Sequence, residues 1–249
     1  MKQEEIIAVM KRYELKYHLN KAQLDFFMER ISNHMKIDKY GLTSIASIYF
    51  DTPDYRLINR SIEKPNYKEK LRLRSYGLAS KDTPTYLEIK RKCDKVVYKR
   101  RIRLLENEAF ELINTKETNL DNQISKELIA FIENYYHLEA KYLIIYDRIA
   151  YYQDDSDLRV TIDMNPRYRT NDLNLHTSLV GFPLTSDEGA ILEIKVQHSV
   201  PIWLTEILTE GKIFQTSFSK VGTAHKLEAK NKKIKFVQNK GEYQHGFTI

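Results

Sequence analysis

Glu88-Ile89-Lys90 places a carboxylate and an ammonium group two residues apart, and the chain repeats this unit as Glu14-Leu15-Lys16 and Glu193-Ile194-Lys195. All three stretches have the pattern of a β-strand. Residues i and i+2 of a strand point to the same face, about 7 Å apart, so each charged pair projects together while the central Leu or Ile faces the other way. Several strands are therefore predicted to carry charge on one side only.

The same alternation continues in Leu71-Arg72-Leu73-Arg74, in residues 97–103 and in residues 158–163. Cations dominate these faces, which hold Lys16, Arg72, Arg74, Lys90, Lys99, Arg101, Arg103, Arg159 and Lys195 against Glu14, Glu88, Asp163 and Glu193. Neighbouring like charges destabilise a sheet unless an anion compensates them, so the pattern favours a negative ligand. A plain solvated sheet face with weak Glu–Lys pairs remains the alternative.

Composition limits the other possibilities. The 249 residues show no break in composition, which indicates one domain over residues 1–229, followed by a basic tail over residues 230–249. The net charge of +6 predicts a mild preference for anions, and a single cysteine, Cys93, excludes an intramolecular disulfide and a cysteine-rich zinc site. The first residues include Glu4 and Glu5, whereas a secretion signal begins with basic residues. No apolar run in the sequence is long enough to span a bilayer. We therefore predict a cytoplasmic protein without direct membrane insertion.

Periodicity predicts strands and helices along the whole chain. Helices are expected after Asn20, with Gln23 at capping-box spacing, and from Ser125, Pro201 and Ser219. The stretch from 106 to 124 is polar and is predicted to lack an element. Strands are expected at about 6–18, 43–51, 68–76, 85–92, 95–103, 139–152, 157–164, 175–182 and 190–197.

These elements predict an α+β fold in which an antiparallel β-barrel of about eight strands forms a charged tunnel, with helices packed on the outside. A barrel of that size has room for interior side chains and one small ligand. Arginine donates paired hydrogen bonds to phosphate, lysine adds a compact charge, and glutamate binds Mg²⁺ or Mn²⁺, which bridge to phosphate oxygens. The mixture on the charged faces therefore predicts a phosphate ligand together with Mn²⁺ or Mg²⁺.

Nine pieces of the sequence, in order from residue 12 to residue 220, resemble the VTC domain, the polyphosphate polymerase branch of the triphosphate tunnel metalloenzymes. Each piece is short and weak alone, but their common order is specific. The pieces are Arg12-Tyr13-Glu14-Leu15-Lys16-Tyr17, Tyr49-Phe50-Asp51-Thr52, Leu71-Arg72-Leu73-Arg74-Ser75-Tyr76-Gly77, Leu87-Glu88-Ile89-Lys90, Lys99-Arg100-Arg101, Tyr146-Asp147-Arg148-Ile149-Ala150-Tyr151, Arg159-Val160-Thr161-Ile162-Asp163, Leu192-Glu193-Ile194-Lys195 and Phe218-Ser219-Lys220.

The resemblance implies a tunnel that holds ATP or another triphosphate and a growing polyphosphate chain, and an enzyme that moves the γ-phosphoryl group of ATP onto that chain. It implies Glu193 as the metal ligand and Tyr146 and Ser219 beside the substrate. It also implies that phosphates are held by Lys16, Arg72, Arg74, Lys90, Lys99, Arg148, Arg159 and Lys220. The charged strand faces add Glu14, Glu88, Arg101 and Lys195 as substrate-binding candidates. Some members of the family have a lysine where this chain has Ser217.

Two other functions remain open from the sequence, and a third is ranked last. A triphosphatase would use the same tunnel with water as the acceptor, and a non-catalytic polyphosphate- or phosphoprotein-binding module would need the cations but not the glutamates. Nucleic-acid binding is not predicted, because most of the 17 tyrosines alternate with apolar residues as packed strand residues do.

Overall fold

The computed structural model describes residues 9–10, 13–63, 65–94, 96–154, 156–185 and 188–242. These residues form an α+β fold with six helices and one antiparallel sheet. The helices are α1 Lys21–Ile31, α2 Arg56–Ile62, α3 Glu106–Thr115, α4 Gln123–Asn134, α5 Ile202–Glu210 and α6 Lys220–Glu242. The strands are β1 Val9–Met10, β2 Tyr13–Leu19, β3 Lys36–Ile37, β4 Thr43–Asp51, β5 Tyr67–Tyr76, β6 Thr85–Cys93, β7 Val96–Leu104, β8 Glu139–Tyr152, β9 Arg159–Arg169, β10 Phe182–Pro183, β11 Ala190–Val196 and β12 Gln215–Thr216.

The twelve strands pair in the order β1-β7-β6-β5-β4-β8-β9-β11-β2-β12, with β10 added to β9 and β3 added to β8. Eight of them have seven or more residues, which agrees with the expected number of strands. The two ends of the path, β1 and β12, do not pair with each other within the described residues. The sheet is therefore not closed, and the predicted barrel is not confirmed.

The apolar face of the sheet packs against five helices, as the alternation predicts, and α2 contributes Leu57. Leu71, Leu73 and Ile89 are buried in a cluster with α3 and α4, and Leu192 and Ile194 are buried in a second cluster with α1 and α5. Both clusters take every second residue of their strands, so the charged residues between them point to the opposite face. We call that opposite side the concave face.

Helix α6 is an exception to the expected arrangement, in which all helices lie outside. Its residues Val221 and Ala224 pack against Ile45 and Ile144, which share the face of Ser47 and not the face of the outer cores. Sequence alternation could not show this, because the first turns of α6 carry too few large apolar side chains to predict which face they cover. The beginning of α6 therefore lies on the concave face beside the charged residues.

Several predicted boundaries were wrong, for identifiable reasons. The polar stretch 106–124 contains α3, whose buried residues Ala109, Leu112 and Ile113 keep helical spacing among acids. The predicted strand 175–182 is mostly irregular, and only Phe182–Pro183 pairs with β9. Helix α2 was missed because it begins after a left-handed Tyr55, and its amides at Leu57 and Ile58 are bound by the buried Asp51 carboxylate at 2.8 Å each.

Other predicted elements are confirmed. Asn20 caps α1 in a capping box with Gln23, and α5 begins directly after Pro201.

Helix α6 continues through residue 229 to Glu242, so the domain boundary predicted between residues 229 and 230 stays a prediction. Residues 6–8, 11–12 and 243–249 of the predicted first strand and tail lie outside the described residues. None of the helices in the described ranges combines the length and the hydropathy that crossing a bilayer requires.

Candidate functional site

The sheet curls until its distant strands touch through their charged side chains. Lys90 on β6 donates to both Glu14 oxygens on β2, at 3.0 and 3.2 Å, although five strands separate β6 from β2 along the sheet. The segment before α6 also reaches across: Lys16 Nζ lies 3.4 Å from the Phe218 carbonyl oxygen. We call the space between these facing side chains the charged groove.

Glu88 is the centre of the first cluster in the groove, and its side chain is completely buried. Its carboxylate accepts from Arg72 Nη2 at 2.7 Å and Nε at 2.8 Å, and Lys99 Nζ lies 2.6 Å from its other oxygen. Arg74 Nε is 4.0 Å away. Three strands, β5, β6 and β7, supply these four residues, because Arg72 is paired with Glu88 and Lys90 is paired with Lys99 across the ladders.

One buried carboxylate cannot neutralise three cations, so this cluster keeps an excess of positive charge. Burial would raise the pKa of Glu88, but Arg72, Arg74 and Lys99 outweigh burial and hold this pKa far below its usual value. Burial lowers the pKa of Lys99 to about 8, despite its contact with Glu88. The contacts place three cations around one carboxylate, and a bound anion would supply the missing negative charge.

Asp163 is the centre of the second cluster, on β9. Arg148 binds its two oxygens with Nε at 2.6 Å and Nη2 at 2.8 Å, and Lys220, the first residue of α6, binds one of them at 2.5 Å. Burial would raise the pKa of Asp163, but Lys220 and Arg148 lower it to about 2. The carboxylate therefore stays ionised and fixes both cations at the beginning of α6.

Tyr146 connects the two clusters. Its hydroxyl accepts from Arg74 Nη2 at 3.3 Å, and its ring lies 4.3 Å from Lys220 Nζ and 5.1 Å from the Arg148 guanidinium carbon. The aromatic ring thus contacts cations of both clusters. The position of Tyr146 beside a bound substrate stays a prediction.

Glu193 differs from the other acids of the groove because its cations remain at a distance. Its nearest partners, Lys195 and Arg148, are 3.8 and 4.0 Å away. Burial would raise the pKa of Glu193, but Lys195, Lys16 and Lys90 outweigh burial, and the pKa lies well below its usual value. This carboxylate is ionised and has oxygens that no close hydrogen bond occupies among the described side chains.

The surroundings of Glu193 fit a divalent metal that is mainly bound by phosphate. In the ranges that the structure covers, no group of three or more His, Cys, Asp or Glu side chains is placed to hold a metal ion. Mg²⁺ commonly binds through one or two carboxylates together with substrate phosphates and water. Thr161, paired directly across from Glu193, has a buried hydroxyl without a hydrogen-bond partner, so this position has an unused polar group for a metal-bound water.

A third group of cations lies near the segment that precedes α6. Lys70 Nζ donates to Ser219 Oγ at 3.1 Å, and Lys70 is paired across the ladder with Lys90. Tyr49 accepts from Arg72 Nη1 at 3.2 Å. Burial raises the pKa of Tyr49, but Arg72, Lys70 and Arg74 outweigh burial and lower it to about 7.

Most of the residues predicted from the sequence therefore converge on the concave face. Two of them contact neither cluster: Arg159 is exposed and donates to the carbonyl oxygens of Ser156 and Leu158, and the half-buried Arg101, directly across the ladder from Glu88, places its guanidinium 5.0 Å from the Tyr86 ring. The residues that the structure brings together by direct contacts are Glu14, Lys16, Arg72, Arg74, Glu88, Lys90, Lys99, Tyr146, Arg148, Glu193, Lys195, Ser219 and Lys220.

Four groove residues were given no role by the sequence: Tyr49, Lys70, Thr161 and Asp163. Lys70 could have been found by extending the alternation Arg74–Arg72 one step toward the start of β5. Asp163 was assigned to the charged face, but its partner Lys220 lies 57 positions away, and sequence carries no signal for that contact.

Comparison with known proteins agrees with this architecture. Solved structures that resemble the chain include a candidate adenylate cyclase from Bacillus halodurans and a candidate adenylyl cyclase from Hippeastrum described as having a dominant triphosphatase activity. The first has a TM-score of 0.53 at 16% identity, covering 84% of this chain and 96% of that chain. The second has a TM-score of 0.51 at 13% identity, covering 84% and 93%. These likenesses establish a shared fold.

No curated protein matches the sequence. The sequence model of the VTC domain matches residues 11–228, which include every strand from β2 to β12 and all the clusters of the groove. The chain belongs to the VTC domain family.

Proposed function

We propose that the protein is a polyphosphate polymerase-like phosphotransferase that moves the γ-phosphoryl group of ATP onto a polyphosphate chain. The main support is the contact between Lys90 and Glu14, because it shows that the distant strands β6 and β2 face each other. The cations of these strands therefore face one common space. Phosphoryl transfer needs little covalent chemistry from a protein, and most of the catalysis comes from alignment and neutralisation of the phosphate oxygens. The groove has the side chains for both tasks.

The proposed step has a simple balance. A terminal oxygen of the acceptor chain attacks the γ-phosphorus of ATP, the bond between that phosphorus and the β,γ-bridging oxygen breaks, and ADP leaves with the bonding electrons. Arg72 and Arg74 hold the oxygens of the transferring group, and Lys90 and Lys99 hold the acceptor end. Arg148 stabilises the charge that develops on the leaving group, and the exposed Arg159, whose guanidinium donates to the Ser156 and Leu158 carbonyl oxygens, has no part in this step. No side chain has to remove a proton from an ionised phosphate acceptor.

Glu193 would hold Mn²⁺ or Mg²⁺ on the triphosphate. When bound, the metal neutralises phosphate oxygens and restricts their orientation. Asp163 keeps Arg148 and Lys220 in place, and Glu88 does the same for Arg72 and Lys99. Each of these two acids is already paired with two cations. Asp163 and Glu88 therefore orient these cations and do not bind the metal.

Product analysis tests the proposal directly. The protein is incubated with ATP and Mn²⁺, in parallel with Mg²⁺, and the phosphate products are separated on a gel. We expect a ladder of chains together with ADP. Absence of any turnover of ATP with either metal would contradict the proposal and favour a binding module.

A triphosphatase is the second candidate, because one structural neighbour is described as having a dominant triphosphatase activity. In that reaction water replaces the chain as the nucleophile and must lose a proton. Tyr49, with its pKa lowered to about 7, lies next to Arg72 and is suited to accept it. Free phosphate that accumulates in proportion to ADP, without chains, would assign this activity.

Ligand binding can also be measured without turnover. Inorganic tripolyphosphate at 100 times its Kd should raise the free energy of unfolding by about 2.7 kcal/mol, which corresponds to a rise in Tm of roughly 5–10 °C for a chain of this size. The rise should become smaller from low to high salt, because the groove binds by charge. Sodium chloride at matched ionic strength is the control, and an unchanged Tm at low salt would contradict binding in the groove.

A further inference from the structure

Lys70 is a cation of the groove that has no acidic partner. In the described residues, no carboxylate forms an ion pair with it, and its Nζ donates only to the hydroxyl of Ser219. Its neighbour across the ladder, Lys90, is already bound to Glu14. A positive charge without compensation at a half-buried position is unfavourable unless something external provides the compensation.

The groups around Lys70 increase this imbalance. They come from β2, β4, β5 and β6, and they are mostly positive: Lys16, Tyr49, Lys68, Arg72 and Lys90. Burial, followed by repulsion from Lys16, Lys90 and Lys68, lowers the pKa of Lys70 to about 8, although Tyr49 acts in the opposite direction. An anion added beside Lys70 would supply the acidic partner that this side chain lacks among the described residues.

The position of Lys70 separates it from the cluster around Glu88. Lys70 lies two residues before Arg72 on β5, which is about 7 Å along the strand, on the side of the Phe218-Ser219 segment. Lys16 is also on that side, because its Nζ contacts the Phe218 carbonyl oxygen. Both lysines thus donate to weak neutral acceptors that a phosphate oxygen can replace.

We propose that Lys70, together with Lys16 and Lys90, forms a second phosphate subsite, which binds a phosphate unit of a condensed chain beyond the unit held by Arg72, Arg74 and Lys99. The inference rests on the proposed function only in assuming that the groove binds condensed phosphates, and it assigns to Lys70 a selectivity for longer chains. Pyrophosphate bound at the arginines does not extend to Lys70, whereas tripolyphosphate does.

Affinity measurements with two probes test this subsite. Calorimetry compares inorganic tripolyphosphate with pyrophosphate for the wild type, K70M, K70R and the surface control K126M. Loss of one charged hydrogen bond should weaken tripolyphosphate binding by K70M about 10- to 100-fold. Pyrophosphate binding should change less than about threefold, and K70R and K126M should stay close to the wild type for both probes.

Stability separates a binding role from a structural one. If Lys70 serves to anchor the beginning of α6 through Ser219, K70M should melt below the wild type. The subsite predicts that K70M without ligand melts no lower than the wild type, because the mutation removes repulsion from Lys16 and Lys90. A lower Tm together with unchanged tripolyphosphate affinity would overturn the inference.

Proton uptake gives an independent readout. At pH 8.5 Lys70 is largely neutral in the empty groove, and a bound phosphate raises its pKa, so binding takes up protons from the buffer. K70R should bind tripolyphosphate but take up fewer protons, because arginine does not titrate in this range. Uptake equal to that of the wild type would contradict the subsite. None of these measurements needs turnover. If the protein binds tripolyphosphate but does not form polyphosphate, the proposed function fails and the subsite is still tested.

Discussion

Replacing Glu193 by glutamine should lower kcat for ATP by about 100- to 1,000-fold and remove most of its dependence on Mn²⁺ or Mg²⁺. Glutamine retains the size of the side chain but loses the charge that attracts a metal. Glu88 and Asp163 cannot replace it, since each is bound by two cations at 2.8 Å or less, and Glu14 is bound by Lys90 at 3.0 Å. Metal titrations of the initial rate measure both effects.

A matched control is available on the other side of the sheet. Glu127 on α4 pairs with Arg100 at 3.0 Å, and like Glu193 it is a partly shielded carboxylate beside an arginine. E127Q should keep the kcat and the metal dependence of the wild type. Binding provides a second measurement. The Tm of the wild type should be higher with tripolyphosphate and Mn²⁺ together than with tripolyphosphate alone, and E193Q should not show this additional rise. An E193Q variant with normal metal activation would remove Glu193 from the metal site.

The strand faces could be predicted because alternation is a local property. Every second residue of β5 and β6 is apolar, so the sequence alone separates Leu71, Leu73 and Ile89 from Arg72 and Glu88. A face lined with cations follows from the same pattern. The resemblance to the VTC domain then added Arg148, Ser219 and Lys220, which no alternation connects to the strands.

The curl of the sheet and the position of α6 could not be predicted, because both depend on contacts between distant residues. Alternation indicates that Glu14 and Lys90 are on charged faces, but the 3.0 Å contact between them depends on the accumulated curl of the strands that separate them. Alternation can place Lys70 on the charged face, but it cannot show which segment covers this side chain. A lysine at the beginning of a strand looks solvated until the segment before α6 is placed over it.

Replacing the buried Glu88 by glutamine should cost about 3–5 kcal/mol of the free energy of unfolding, because it leaves the half-buried Arg72 and Lys99 without their counter-charge. Typical domains are stable by only about 5–15 kcal/mol, so the variant should fold but melt roughly 10 °C lower than the wild type. The low pKa of Glu88 has the same origin: the folded protein favours the ionised form. Stability from this group is present above its unfolded pKa near 4.5 and decreases as the pH falls below that value.

If the groove binds phosphate chains, the ligand should restore the negative charge that the E88Q mutation removes from beside Arg72 and Lys99. Tripolyphosphate brings negative charge to Arg72 and Lys99, so its stabilising shift in Tm should be larger for E88Q than for the wild type. Glu69 is a suitable control because it is also buried on β5 and accepts from Arg91 at 2.7 Å and Tyr135 at 2.7 Å, but on the opposite face. E69Q should lose stability as well, yet tripolyphosphate should raise its Tm no more than that of the wild type. Equal shifts for E88Q and E69Q would show that the ligand does not reach the cations around Glu88, and the phosphate-binding role of Arg72 and Lys99 would have to be abandoned.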